Sequence, residues 1–306
     1  MEKNNVSYSI KLKKEILNVK NKKENEVMSE LLGLFLSKNS FTQDGIYFKT
    51  EINYIARRVF ENLKMIPNLF FQFSYSRHNK LGTHNVYVIK IEKQKNNENI
   101  YNDFIAQLFN LKTYDVTKAE NKEITSGIIR GYFLSCGYVK DPLKGYSLDF
   151  FIDTEDASTF LYLLFLNMGK KVFQTEKKNK NIVYIRNCED ILDTIILLGG
   201  VTCFFEYEEV TINKEISSKI NRNINYELAN ETKKMKTSLE QVEMINKIDE
   251  TIGIKTLSYA LQETARVRLE NEDMSLEELA GLLNITKSGI RGRFRKLKEI
   301  YEDIGE

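Results

Sequence analysis

The stretch LLGLFLSKNSF, residues 31–41, has a counterpart in IRGYFLSCGYV, residues 129–139. Each sets one glycine, Gly33 or Gly131, among large apolar side chains. A residue without a Cβ lets two helix backbones approach closely, so the pair predicts two helices meeting between the halves of one domain. Two unrelated amphipathic helices are the plainer alternative, and the order of the flanking segments bears on the choice. In the first block, periodicity predicts a helix over 27–38, two strands around Asp44-Gly45 within 41–50, and a helix over 52–65. Strands over 69–76 and 85–91 and a closing helix over 99–110 complete it. In the second, a helix over 124–136 is followed by strands at 138–139 and 146–152, flanking a turn at Asp141-Pro142. A helix over 155–168, a hairpin over 171–185 around a lysine-rich loop, and a helix over 191–198 then follow. One order of elements, met twice with a period of about 100 residues, is an internal repeat.

The second informative stretch is SLEELAGLLNITKSGIRGRFRKLK, residues 275–298. Ser275 and Glu278 form a capping box, and Leu276, Leu279, Ala280 and Leu283 recur at helical spacing. Asn284 falls where the chain must turn, and Asn tolerates a left-handed backbone. Thr286 can cap a second helix whose apolar stripe is Ile290, Phe294 and Leu297. Small Ala280 lets the two helices approach, and Ile285 and Ile290 lock their angle, which is helix-turn-helix spacing. The second helix carries Lys287, Arg291, Arg293, Arg295, Lys296 and Lys298 with no acid among them. At about 100° per residue, Ser288, Arg291, Gly292 and Arg295 lie on the side away from Ile290, the side a duplex groove would meet. A solvated basic face is the alternative reading of the charges alone.

The chain has 306 residues, 42% of them hydrophobic, and a formal net charge of +2, enough for two or three domains without global basicity. No apolar run reaches the ~20 residues that span a bilayer. At the amino end Lys11, Lys13 and Lys14 lead into Glu15 rather than into a signal-peptide pattern, so a cytoplasmic location is expected. Residues 1–25 are a basic segment, read as a helix packed on the next domain or as a frayed arm. Cys136, Cys188 and Cys203 are odd in number and widely spaced, which points to reduced, buried thiols. His78 and His84 face each other across a hairpin loop without a third ligand, and neither a metal nor a cofactor is expected.

Glycine-centred helices opening two αββαββα repeats resemble the LAGLIDADG homing-endonuclease fold. With IRGYFLSCGYVKDP (129–142), INRNINYELAN (220–230) and ITKSGIRGRFRKL (285–297), nearly the whole chain resembles the WhiA family of bacterial regulators. The resulting fold expectation is α+β: a basic segment over 1–25, then a LAGLIDADG-like domain over 26–208 with repeats at 26–112 and 122–200. A linker over 209–215, within a hinge placed at 206–215, leads to an all-α helix-turn-helix domain over 216–306. From Ile216 a helix is expected through Asn246, marked by Ile220, Ile224, Leu228, Leu239, Val242 and Ile245, and another over 257–269.

The resemblance implies a carboxylate at the foot of each glycine-centred helix, sharing divalent cations in a nuclease. With Gly33 and Gly131 aligned to that motif, these positions are Lys38 and Cys136, and neither replaces a carboxylate. Asp44 and Asp141 sit in turn dipeptides, a sufficient structural reason for both. The resemblance therefore implies a non-cleaving, sequence-specific transcriptional regulator tied to sporulation, cell division or chromosome segregation, associated with the nucleoid. Expected DNA-binding residues are Thr286, Lys287, Ser288, Arg291, Arg293, Arg295 and Lys296. The family adds weight to Arg222 and Asn225, whose amide-rich surroundings can equally cap or bridge helices. Lys287, Ser288 and Arg291 are the choices for base edges. One such unit reads few base pairs, so a homodimer on DNA, help from the repeat domain, or RNA polymerase as co-binder is expected. Loop cations Arg77, Lys80, Lys177, Lys178 and Lys180 suit phosphate, though this domain could equally hold a protein or a small ligand. The rivals are a nuclease with displaced metal ligands and a protein-interaction scaffold.

Overall fold

The computed structural model describes residues 7–78, 84–93, 98–113 and 121–304. They form two units, residues 1–213 and 214–306. The first unit opens with α1 (Tyr8–Ile16), whose Leu12 and Ile16 are fully buried, so this part of the amino-terminal segment is a docked helix. The first repeat follows as α2 (Glu24–Ser37), β1 (Phe41–Thr42), β2 (Gly45–Thr50), α3 (Asn53–Lys64), β3 (Gln72–His78), β4 (His84–Glu92) and α4 (Glu98–Asn110). The second is α5 (Lys122–Cys136), β5 (Gly137–Val139), β6 (Leu148–Ile152), α6 (Glu155–Asn167), β7 (Val172–Lys177), β8 (Lys180–Ile185) and α7 (Cys188–Leu198).

Each repeat makes one antiparallel four-stranded sheet, ordered β1-β2-β4-β3 and β5-β6-β8-β7. The equivalence extends to register. Phe48 pairs with Ile89 in the first sheet, and Phe150 with Val183 in the second, and all four side chains are buried in one core. Alternation along the strands sends every second residue to that core, as period-two spacing requires. The predicted hairpin turn after β7 is made by Lys178 and Asn179, both left-handed at φ 52° and 58°.

The repeats meet through α2 and α5, and glycine decides how closely. A Cβ on Gly33 would lie 2.1 Å from the Ile128 carbonyl oxygen, and one on Gly131 would lie 2.2 Å from that of Glu30. Both obstacles are backbone, so no side-chain adjustment relieves them. Every residue of Val27–Ser37 is buried, Ser29, Glu30 and Ser37 included, so this stretch of helix is enclosed on all sides. Gly131→Ala should therefore lower unfolding stability by about 3 kcal/mol, because the clash outweighs the ~1 kcal/mol helix-propensity gain. A shift in the urea midpoint measures it.

The long α8 (Val201–Thr251) corrects the expected hinge. Residues 206–215 are helical because Cys203, Tyr207 and Thr211, four residues apart, turn one face inward and are buried. Tyr8 donates its hydroxyl to the Cys203 carbonyl, and its ring meets that of Tyr207 edge-on at 5.6 Å. The expected apolar marks divide. Ile220, Ile224, Leu228 and Leu239 are exposed and Val242 is half-buried, whereas Ile245 joins the second core together with Met244 and Ile248, which lie outside the expected marks.

The second unit closes with α9 (Tyr259–Glu270), α10 (Leu276–Leu282) and α11 (Lys287–Ile304), whose Leu261, Ala265, Leu279, Ala280, Ile290, Phe294 and Leu297 complete that core.

Candidate nucleic-acid interface

The α10–turn–α11 segment is assembled by local bonds that the sequence specifies. Glu278 accepts from the Ser275 backbone N–H at 2.6 Å, and Ser275 Oγ accepts from the Glu278 N–H at 3.2 Å, closing the capping box. Asn284 turns the chain at φ 53°, and Thr286 Oγ1 accepts from the Gly289 N–H at 3.1 Å to begin α11. Beneath them, Ala280 and Ile290 are both buried in the second core. A residue that sequence reasoning missed, Arg268, fixes the approach to α10. It is buried, donates to the Met274 carbonyl at 2.7 Å and to the Asn271 and Glu272 carbonyls, and lies over the Phe294 ring. An arginine at a helix end carries no pattern that announces such a buried role.

The expected contact residues fall into three groups. Arg291, Arg295 and Lys296 are exposed and make no ion pair among the described residues. Ser288 is exposed with its hydroxyl against that of Thr286, and Lys287 pairs with Glu277 at 2.5 Å, a surface bond that phosphate can displace. Thr286 is occupied as the cap.

Arg293 corrects the expectation. Its Nη1 donates to the Ala260 carbonyl at 3.2 Å, to Thr264 Oγ1 at 3.2 Å and to Glu263 at 3.3 Å. Three positions after Ile290, it sits about 60° from the buried stripe, close enough to fold over α9. Arg222 and Asn225 lie exposed in the middle of α8, with Arg222 Nε bonded to the Ser218 carbonyl. The groove lined by Arg291, Arg295 and Lys298 meets α8 at Thr237, Glu240 and Gln241, about three to five turns further along. The structure does not bring Arg222 and Asn225 to α11.

Gly292 shows no internal reason for being glycine. A Cβ there meets nothing within 4 Å, in contrast with Gly33 and Gly131.

In the first unit, the two positions aligned with nuclease carboxylates end the interface helices: Cys136 is the last residue of α5, and Lys38 caps α2. Burial pushes the Cys136 thiol up to about 12, so it stays neutral. Lys13 of α1 adds a further ammonium beside them, 5.5 Å from the Phe133 ring centroid, its pKa pushed down to about 8 by burial and by Lys38. Two ammoniums, a neutral thiol and one carboxylate, Asp153, already paired with Lys180, do not fit a divalent cation, which needs several anionic oxygens.

The two turn aspartates keep their structural roles: Asp141 Oδ1 accepts from the Leu143 N–H at 2.9 Å, and Asp44 lies in the β1–β2 turn. Among the described residues no group of three His, Cys, Asp or Glu could hold a metal. None of Cys136, Cys188 and Cys203 is in a disulfide; Cys136 and Cys203 are buried and Cys188 is half-buried. Of the loop cations, Arg77, Lys177 and Lys178 are exposed, Lys180 pairs with Asp153, and Lys80 lies outside the described residues, as do the side chains of His78 and His84. Among the described residues no helix is long and apolar enough to cross a membrane.

Midway along α2, at the helix crossing, sits a carboxylate. Glu30 is fully buried and accepts from Arg58 at 2.6 and 2.8 Å, from Asn62 at 2.9 Å and from Asn21 at 3.0 Å. Arg130 stands 3.5 Å away on the opposite repeat. Burial alone would raise its carboxyl, but Arg58 and Arg130 overcome it and hold Glu30 below the ordinary range. With every partner accounted for inside the protein, this network joins the halves and leaves no lone pair for a ligand.

Comparison with known proteins follows the same two-unit division. The profile of the WhiA LAGLIDADG-like domain matches residues 27–100 and 125–217, and that of the WhiA C-terminal HTH domain matches residues 220–301. A probable cell division protein WhiA of Clostridium acetobutylicum is 30% identical, over 98% of both chains. The protein of the same name from Staphylococcus epidermidis is 31% identical, over 89% of this chain and 87% of its own. The crystal structure of full-length DUF199/WhiA from Thermotoga maritima, 23% identical, shares the fold with a TM-score of 0.59 over 98% of this chain and 99% of its own. On these matches the chain belongs to the WhiA family, with a LAGLIDADG-like domain followed by a helix-turn-helix domain.

Proposed function

We propose that the chain is a sequence-specific, duplex-DNA-binding transcriptional regulator acting in cell division, and that it does not cut DNA. The observation that carries this reading is α11, whose exposed Arg291, Arg295 and Lys296 form no ion pair within the described residues, on a helix held by a complete helix-turn-helix lock. Arginine and lysine on phosphate supply affinity, and side chains at the front of the helix, Ser288 and Arg291, supply base readout. The cell-division role is supported by the names of the curated relatives. Absence of cleavage is supported by Lys38 and Cys136, which offer a cation no carboxylate. RNA polymerase or a second copy of the chain would supply the specificity that one such helix lacks.

Chromatin immunoprecipitation of the parent chain and of Arg291→Ala/Arg295→Ala tests the regulatory reading. Discrete peaks upstream of genes, lost in the double variant, are expected; peaks retained in the variant contradict it. Gly292→Ala separates binding from stability. It should raise helix stability by about 1 kcal/mol, since nothing obstructs the added methyl, yet weaken duplex binding where the DNA backbone lies against α11. Thermal unfolding and duplex titration on one preparation report both. Supercoiled plasmid held with the chain and Mg²⁺ should stay intact, and nicking that requires Asp44 or Asp141 would favour the nuclease reading.

A further inference from the structure

The feet of α2 and α5 hold a buried positive charge that the protein itself leaves unanswered. Lys13 is 8% exposed, yet no carboxylate among the described residues pairs with it. Its ammonium lies over the Phe133 ring, and Lys38, the cap of α2, adds to the positive field there and likewise has no ion pair within the described residues. Cys136 between them is neutral, and Asp153, the nearby acid, is engaged by Lys180. Two further donors lie close in sequence: the hydroxyls of Ser40 and Ser135 are buried and have no hydrogen-bond partner.

A buried ammonium without a counter-ion is strongly unfavourable, and an unpaired buried hydroxyl adds to the cost. Natural folds retain such groups where something outside the chain answers them. The charge sign selects the class. Two ammoniums repel a metal ion and attract an anion, and tetrahedral oxygens suit both ammoniums and hydroxyls.

We infer that the foot of the α2–α5 pair binds a phosphate-class oxyanion, held between Lys13 and Lys38 where the nuclease resemblance would put divalent cations. A phosphodiester of duplex DNA and a free phosphate share this chemistry. The site belongs to the first unit and does not depend on α11 binding DNA.

Thermal unfolding of the full chain tests it, with sodium phosphate titrated against sodium chloride at constant ionic strength. Phosphate should raise the parent's Tm by about 2–4 °C beyond chloride, as ligand binding to the native state requires. Lys13→Met, which removes the unanswered charge, should start from a higher Tm than the parent and show no phosphate response. Lys38→Met should lose the response as well, and it keeps the test decisive if Lys13→Met folds poorly. A short duplex added to Arg291→Ala/Arg295→Ala identifies the source. A Tm rise abolished by adding Lys13→Met assigns the site to the DNA backbone, and no rise assigns it to free phosphate. A phosphate response that is absent in the parent, or equal in parent and both lysine variants, overturns the inference.

Discussion

Arg291→Ala combined with Arg295→Ala should weaken duplex binding by about 100-fold or more while leaving the fold intact. Each arginine that contacts a phosphate or a base edge contributes about 1–3 kcal/mol, and both side chains are exposed and form no ion pair within the described residues. Surface substitutions away from caps and cores change stability within about 0.5 kcal/mol, and alanine favours the helix. The comparison that makes this specific is Arg293→Ala. That change removes bonds to Ala260, Glu263 and Thr264, so it should lower the unfolding midpoint and affect DNA only through stability. Fluorescence anisotropy of a labelled duplex, with circular dichroism melts of each variant, distinguishes the two arginine classes. Equal loss of affinity from Arg293→Ala, without loss of stability, would mean that the inward assignment is wrong.

The largest effect on stability is expected from Glu30→Ala. Removing one partner from a buried ion network costs about 3–5 kcal/mol, because Arg58 and Arg130 are left charged in a dry interior. Total stabilities of 5–15 kcal/mol make that a large fraction. The pH dependence has a definite sign. Glu30's carboxyl is held below its unfolded value, so its stabilisation is fully present above the ordinary carboxylate range. It is lost as pH falls through the depressed folded value. Urea melts of parent and variant should therefore differ most near neutrality and converge in acid. A gap that stays constant down to strong acid would show that packing, not charge, is what Glu30 supplies.

Much of the architecture was legible in residues whose chemistry leaves few alternatives. Gly33 and Gly131 announced a close helix crossing, and the clash distances of 2.1 and 2.2 Å give the reason. The capping box at Ser275 and Glu278, the left-handed Asn284 and the Thr286 cap each form as local sequence dictates, because local bonds need no tertiary partner. What escaped the sequence depends on distant chain. Residues 206–215 read as a hinge because their charges hid a buried face carried by Cys203, Tyr207 and Thr211, polar-looking residues that pack against α1 and α7. Arg293 was grouped with its basic neighbours because composition does not record a 60° rotation toward α9. Lys13 is unreadable as a buried residue until α1 docks beside the feet of the interface helices.

The recognition role of α11 is tested most directly by a salt titration of duplex binding with the parent chain. If exposed cations of α11 displace condensed counterions from phosphates, log K should fall linearly with log salt, with a slope of about −3 to −4 for some four contacts, and Arg291→Ala/Arg295→Ala should reduce that slope by about 2. A flat salt profile, or an unchanged slope in the double variant, would contradict the account.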